Sequence, residues 1–338
     1  MTFSNELGQK IFKGCGCLSI GFVVLLTILV VVVALCIDDE EEEDGVAQTE
    51  QTGKAEQNDS IVVNEVLEGD PYKELDELIG LENVKREVRT LANFVKVQKM
   101  RKAQGLKTPK MSYHLVFTGS PGTGKTTVAR IVARIYKDLG VLKKGHTVET
   151  DRSGLVAEYM GQTAVKTNAI IDSALNGVLF IDEAYALVPE RGNGQDYGQE
   201  AISTLLKRME DDRDKLVVII AGYPKEMQRF IDSNPGLQSR FTRYIDFPDY
   251  SAGELTDIFK MYVRKNQYTL TAESEQYLTQ KLDSVVRHKE RNFGNARYVR
   301  NMFEKCIQQQ ANRLSRQQNV SKAQLSELTL EDLQQTFR

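Results

Sequence analysis

Residues 115–127, LVFTGSPGTGKTT, limit the folds open to this chain more than any other stretch. An apolar run leads into a glycine-rich turn and then a lysine with two hydroxyls. This matches the pattern G-x-x-x-x-G-K-[ST], with Gly119, Gly124, Lys125 and Thr126 at its fixed positions. Glycine permits the tight turn, so the backbone of Pro121, Gly122, Thr123 and Gly124 is expected to aim successive amides at one anion, with the positive end of the next helix behind them. On this pattern Lys125 reaches the β- and γ-phosphates of ATP, Thr126 holds Mg²⁺ through its hydroxyl, and Thr127 completes the phosphate cradle. A strand before the turn and a helical pattern over 126–136 supply the context the motif requires, which an incidental surface turn would lack.

Beyond the loop, strand-like runs at 146–150, 178–181, 216–221 and 244–247 alternate with helix-like spans. Such alternation predicts an α/β fold, a parallel sheet with helices on both faces. Upstream, 81–104 carries Val84, Val88, Leu91, Phe94 and Val97 at helical spacing. After Pro248 the pattern becomes all helical. Ser251 and Glu254 are spaced as a capping box, and a longer helix is expected over 294–314. The expected division is a nucleotide-binding α/β domain over 70–248 and an all-helical lid over 249–338.

The run VLFIDE at 178–183 is an apolar strand that ends in two carboxylates. In open α/β sheets ligands sit beyond the C-terminal ends of the strands, so Asp182 and Glu183 should face the same crevice as the glycine-rich loop. Asp182 is expected to complete the Mg²⁺ shell and Glu183 to polarise the attacking water, the Walker B roles.

The first 69 residues are organised differently. Residues 1–17 form a short flank, and 18–37, LSIGFVVLLTILVVVVALCI, carry no charge. At 1.5 Å per residue this segment crosses a hydrocarbon core of about 30 Å, longer than the apolar region of a signal peptide, so a single transmembrane helix is expected. Lys10 and Lys13 before it, against the acidic run DDEEEED at 38–44, would put the larger part outside. A module that needs ATP argues the reverse, and the expected topology leaves that module in the cytoplasm. Residues 38–69 are acidic, then polar, and read as a solvated tether.

A formal net charge of −3 provides no global field to draw the protein to nucleic acid, and no nucleic-acid partner is expected. Three of the four cysteines, Cys15, Cys17 and Cys36, lie in or beside the apolar segment, and Cys306 stands alone. That usage argues against a disulfide framework. His114, His146 and His288 show no metal or triad spacing and are read as structural.

GSPGTGKT paired with LFIDEA, followed by Gly294-Asn295-Ala296-Arg297 in a helical lid, resembles the AAA+ ATPases. Within them LDELIGLENVK, GVLFIDEAYAL, IIAGYP and SRFTRYIDFPDYS resemble the branch of stage V sporulation protein K-like proteins and red-type rubisco activases. The likeness runs from about residue 70 to the C-terminus and leaves out the apolar segment and the acidic tether. It implies a ring, a hexamer, acting on a protein client. At matching positions it implies adenine packing at Ile79 and Gly80 and a γ-phosphate contact from the lid by Arg297, the sensor 2 arginine. Arg240 matches the finger supplied to the neighbouring subunit, with Arg243 as the second candidate. Glu158-Tyr159-Met160-Gly161 matches the central pore loop. An aromatic, an apolar residue and a glycine there grip many sequences, because apolar contact is non-directional. The glycine-rich stretch at 191–198 is a candidate second pore loop.

One departure stands out. Where many relatives end the sensor 1 strand in asparagine, this chain has Gly222-Tyr223-Pro224. The expectation is therefore a membrane-tethered ATPase that remodels a protein. The rivals are a slow nucleotide-gated scaffold that recruits partners without threading them and a clamp-loader-like nucleic-acid remodeller, against which the acidic balance weighs. Rubisco activation is a narrower form of the first and sits awkwardly beside a membrane segment.

Overall fold

Strands buried on both faces must be apolar along their whole length, and in the computed structural model the three apolar runs around the glycine-rich loop meet that condition: β2 (Leu115–Gly119), β4 (Gly177–Ile181) and β5 (Leu216–Gly222) are buried at every residue. The structure describes residues 61–64, 69–109, 112–159, 161–188, 197–290 and 292–337. The chain divides into two units, Met1–Glu56 and Gln57–Arg338, and every described residue belongs to the second. The flank 1–17, the apolar segment 18–37, the tether apart from residues 61–64 and 69, Met160 and the loop at 191–196 lie outside the described residues. Among the described residues no helix is long and apolar enough to cross a membrane.

With β1 (Val62–Asn64), β3 (Thr147–Thr150) and β6 (Tyr244–Phe247), the sheet runs in the order β1-β3-β4-β5-β2-β6. Strands β2 to β6 are mutually parallel, as the alternation predicts. β1 departs from it. Residues 62–64, read from composition as tether, pair antiparallel with β3, Val62 opposite Glu149 and Asn64 opposite Thr147. The Asn64 amide donates to Glu149 Oε1 at 2.6 Å, so one polar side chain pins the edge strand that shields β3.

Between the strands lie α1 (Pro71–Glu77), α2 (Glu82–Ala103), α3 (Lys125–Asp138), α4 (Arg152–Leu155), α5 (Thr163–Ser173), α6 (Gly198–Asp211), α7 (Pro224–Asp232) and α8 (Pro235–Arg240). Alternation along the strands sorts the core into two layers. Phe117 and Ile219 pack with α1 to α3 and the lid, and Val116 and Ile220 pack with α5 to α7. The apolar stripe of α2 differs from the expected one: Val84, Val88, Leu91 and Val95 are buried, whereas Val97 is 52% exposed and Phe94 lies under the Arg243 guanidinium, 4.8 Å from its ring centre.

The lid comprises α9 (Ala252–Lys265), α10 (Ala272–Arg287), α11 (Asn295–Leu314), α12 (Lys322–Ser326) and α13 (Leu330–Thr336). The capping box is present, with Ser251 and Glu254 bonded reciprocally. The lid is not wholly helical. β7 (Thr269–Leu270) pairs in parallel with β8 (Glu327–Leu328), and Gln310 donates to the Leu325 and Glu327 carbonyls beside it.

All three histidines bond to backbone groups, as a structural role requires. His114 is buried on β2's approach, and its Nδ1 accepts the Val218 amide at 2.9 Å. Burial, with Arg240 adding, lowers its pKa from 6.5 to about 4. The neutral ring is thus the folded form, and the stability it confers is complete above pH ~6.5 and lost as pH falls toward 4. That loss should reach about 3 kcal/mol by pH 4. In urea titrations His114→Asn, which keeps an acceptor that does not titrate, is expected to lose clearly less stability between pH 7 and 4 than the unsubstituted chain.

Candidate functional site

At the C-terminal ends of β2, β4 and β5 the loop at 119–124 turns into α3. Gly119, Gly122 and Gly124 hold φ of 151°, 71° and 94°, a region costly to residues with a Cβ. Space is as restrictive as backbone angle. A Cβ on Gly122 would run into the Gly294 carbonyl and approach the Arg297 amide to 2.9 Å. Thr123, fully buried, donates to Ser120 O at 2.8 Å and fastens the turn internally. Lys125 Nζ donates to the Gly119 and Ser120 carbonyls at 2.9 and 2.8 Å. Burial pulls its pKa down, Asp182 and Glu183 push it up, and Arg297 opposes them. These four charges therefore sense one another across a single cleft.

The cleft has a volume of about 360 Å³. Its floor is Gly119, Pro121, Gly122, Gly124, Lys125, Thr126 and Thr127; one wall carries Asp182, Glu183, Gly222 and Tyr223, and the lid contributes Tyr262, Ala296, Arg297 and Arg300. Asp182 follows the last residue of β4, and its Oδ1 accepts the Glu183 amide at 3.0 Å. Glu183 adopts a left-handed conformation (φ 48°, ψ 40°) before a 3-10 turn, Ala184–Leu187. Ile79, Gly80 and Thr123 are not among the lining residues: Ile79 packs against the core and Gly80 abuts Glu254 of the lid.

A buried polar residue ties lid to loop. Asn295, with φ of 46° and no exposure, accepts the Tyr250 amide at 3.0 Å and donates to Asp249 Oδ1 at 2.9 Å and Pro121 O at 3.3 Å. The Ala296 amide donates to Gly122 O at 3.1 Å. A group seated on the loop thus touches backbone that is hydrogen-bonded to the start of α11.

The profile of the "ATPase family associated with various cellular activities (AAA)" matches residues 115–249, and that of the "AAA lid domain" matches 251–338. Stage V sporulation protein K of Bacillus subtilis (strain 168) is 42% identical over 289 residues, 84% of this chain and 89% of that protein. The chain belongs to the AAA ATPase family. ATP hydrolysis is that family's chemistry. The chloroplastic ribulose bisphosphate carboxylase/oxygenase activase of Cyanidioschyzon merolae (strain NIES-3377 / 10D) is 47% identical over 238 residues, 70% of this chain and 80% of that one. These relatives agree with the branch resemblance of the motifs. The FIGL-1 AAA domain in complex with ADP shares the fold at a TM-score of 0.55 and 17% identity, over 82% of this chain and 86% of that one.

Two residues singled out in the AAA sequence lie away from the cleft. Arg240 ends α8, pairs with Glu210 at 3.5 Å, and keeps its Nε buried with no hydrogen-bond partner. Tyr159 is 67% exposed, which excludes a core tyrosine. It sits in a turn closed by the Gln162 amide on Tyr159 O at 3.3 Å, with Gly161 at φ 78°. The segment before it is braced on α5: Thr163 Oγ1 accepts the Ala157 amide at 3.0 Å, Thr167 Oγ1 donates to Leu155 O at 2.9 Å, and Lys166 donates to Ser153 O at 2.7 Å.

Sequence reasoning missed Tyr262 and Arg300, and it noted Tyr223 without giving it a role. Arg300 follows Arg297 at i,i+3, the spacing that puts two residues on one helix face, so a signal for it existed. For Tyr262, on a different lid helix, none did.

Proposed function

We propose that this AAA ATPase is held to a membrane through residues 18–37 with its ATPase module in the cytoplasm, assembles into a ring, a hexamer, and uses ATP hydrolysis to pull on or remodel a protein client. AAA+ family members typically form rings. The observation that carries the client reading is the exposed Tyr159 tip, whose preceding segment is braced on α5 and joined through Arg152 Nη1 to the Ala186 carbonyl, at 2.8 Å, in the turn that follows Glu183. A force at the tip and a change at the acid would then share one short path.

Within the cleft, the loop amides and Lys125 bind the phosphates; the adenine end lies beyond the lining residues, toward the segment at Ile79 and Gly80. Thr126 and Asp182 present a hydroxyl and a carboxylate to the same space, hard oxygen donors of the kind Mg²⁺ prefers, so these two would hold the ion. Bound there, it supplies charge neutralisation for the phosphates. Glu183 orients a water for in-line attack on the γ-phosphorus and accepts its proton. Lys125, Arg297 and a neighbour's Arg240 offset the charge that develops on the transferred oxygens.

Tyr159→Ala tests the pulling. Basal ATP hydrolysis is expected within about twofold of the unsubstituted chain, because Tyr159 makes no contact with the cleft. Stimulation of hydrolysis by an added unfolded polypeptide should disappear. Unchanged stimulation would favour the scaffold reading.

A further inference from the structure

The last residue of β5, Gly222, lines the cleft but offers it no polar side chain. A Cβ there would stand 2.7 and 2.8 Å from Tyr185 Cδ1 and Cε1, and 2.9 Å from Met227 Sδ, so the Tyr185 ring fills the space a side chain would need. The side-chain cations that line the cleft are Lys125 from the loop and, from the lid, Arg297 and Arg300. Helix α11 fixes where the last two stand. Its first turn rests on the glycine-rich loop, through the Ala296 amide on Gly122 O at 3.1 Å and the Asn295 amide on Pro121 O at 3.3 Å. Val299, Met302, Phe303 and Cys306 are buried in the core on its other side, so the helix cannot roll without emptying that packing. Arg300 lies at i,i+4 from Ala296 and i,i+3 from Arg297, and all three face the cleft. Tyr262 of α9 faces it too and stacks on Phe303, with ring centres 5.8 Å apart at 19°, which ties the two lid helices together one turn from Arg300.

We infer that Arg300 is a further nucleotide-binding residue, a cation on the lid that draws the polyphosphate of ATP or ADP into the cleft. Its resting partner is Glu304, one turn along α11, at 3.5 Å, and the two side chains are 54% and 60% exposed. Such a pair is worth about 1 kcal/mol or less, so a phosphate readily takes its place. The formal charges of the lining residues decide the sign. Lys125, Arg297 and Arg300 stand against Asp182 and Glu183, which leaves the cleft one positive charge in excess; without Arg300 the side chains cancel. A polyphosphate approaching the cleft therefore meets net side-chain attraction only with Arg300 in place. Its guanidinium is solvated, so it acts on capture and is screened by salt, whereas a group that stabilises a transition state works from a water-excluded position.

This role rests on the cleft as the nucleotide site. The test is equilibrium binding of a fluorescent ADP analogue to the full chain, beside steady-state ATP hydrolysis, for Arg300→Gln, Arg300→Lys and Lys125→Ala. Arg300→Gln is expected to weaken ADP about threefold to tenfold and to raise KM for ATP by a similar factor, with kcat at saturating ATP within about twofold. The deficit should narrow as salt rises from about 0.05 to 0.5 M, which a packing role would not produce. Arg300→Lys, which keeps the charge, should stay close to the unsubstituted chain. Unchanged affinity in Arg300→Gln beside lost binding in Lys125→Ala would overturn the capture role and leave the cleft as the nucleotide site. Equal, salt-independent weakening in Arg300→Gln and Arg300→Lys would overturn it as well, since shape rather than charge would then matter. Binding retained in Lys125→Ala would overturn both this role and the reading of the cleft beneath it.

Discussion

Arg240→Ala is expected to slow ATP hydrolysis by about three to five orders of magnitude, the range for an arginine that enters a phosphoryl-transfer transition state from a neighbour. Nucleotide affinity should hold, because Arg240 does not line its own protomer's cleft. The surroundings of this arginine fit a group kept for another subunit. Its backbone is anchored by Ser112 Oγ on Arg240 O at 2.8 Å, while its guanidinium has only a 3.5 Å pair with the half-exposed Glu210 and two 3.4 Å contacts to Gly236 and Ser239. A pair stretched to 3.5 Å with its carboxylate half in water is worth about 1 kcal/mol or less, little to give up on meeting a phosphate. Arg243, the other candidate, is committed inward over Phe94. Removing it should cost stability and leave turnover per folded subunit nearly intact. Specific activity should also rise with protein concentration, since a site completed by a neighbour exists only in the assembly. Flat activity that survives Arg240→Ala would end the shared-site reading.

The second large effect belongs to Glu183. Glu183→Gln preserves size and removes the base, so hydrolysis should fall by about two to four orders of magnitude while ATP binding persists. Burial already disfavours the charged form of Lys125, and Asp182 is the stronger of the two carboxylates that offset it. Loss of the Glu183 charge therefore leaves Lys125 its main support. Equilibrium binding of a fluorescent ATP analogue beside single-turnover hydrolysis separates the two quantities. A variant that binds poorly would mean that Glu183 shapes the phosphate site rather than acting on water.

Much of this architecture was legible because it is written in local chemistry. The glycines at 119, 122 and 124 take the positive φ that the loop pattern demands, β3 to β6 fall within a residue of their apolar runs, and Ser251 with Glu254 caps α9 as spaced. Other features had no local trace. A three-residue strand at 62–64 is too short to stand out within a polar stretch, and it forms because β3 offers an open edge and Glu149 an acceptor for Asn64. Val97 continues a helical period yet faces out, since the core beneath α2 extends only to Val95.

The glycine-rich loop and the carboxylates that end β4 were thus set by the sequence itself, because a tight glycine turn, an apolar buried strand and a helix cap each depend on neighbours a few positions away. Tertiary structure alone decided which arginine stacks over Phe94 and which pairs loosely with Glu210, what occupies the space over Gly222, and which lid residues reach the cleft. Those outcomes turn on groups far apart in the chain: Arg243 with Phe94, Gly222 with Tyr185, and Asn295 with Pro121. Only packing brings such pairs within a few ångströms, and no periodicity in the sequence records the distance.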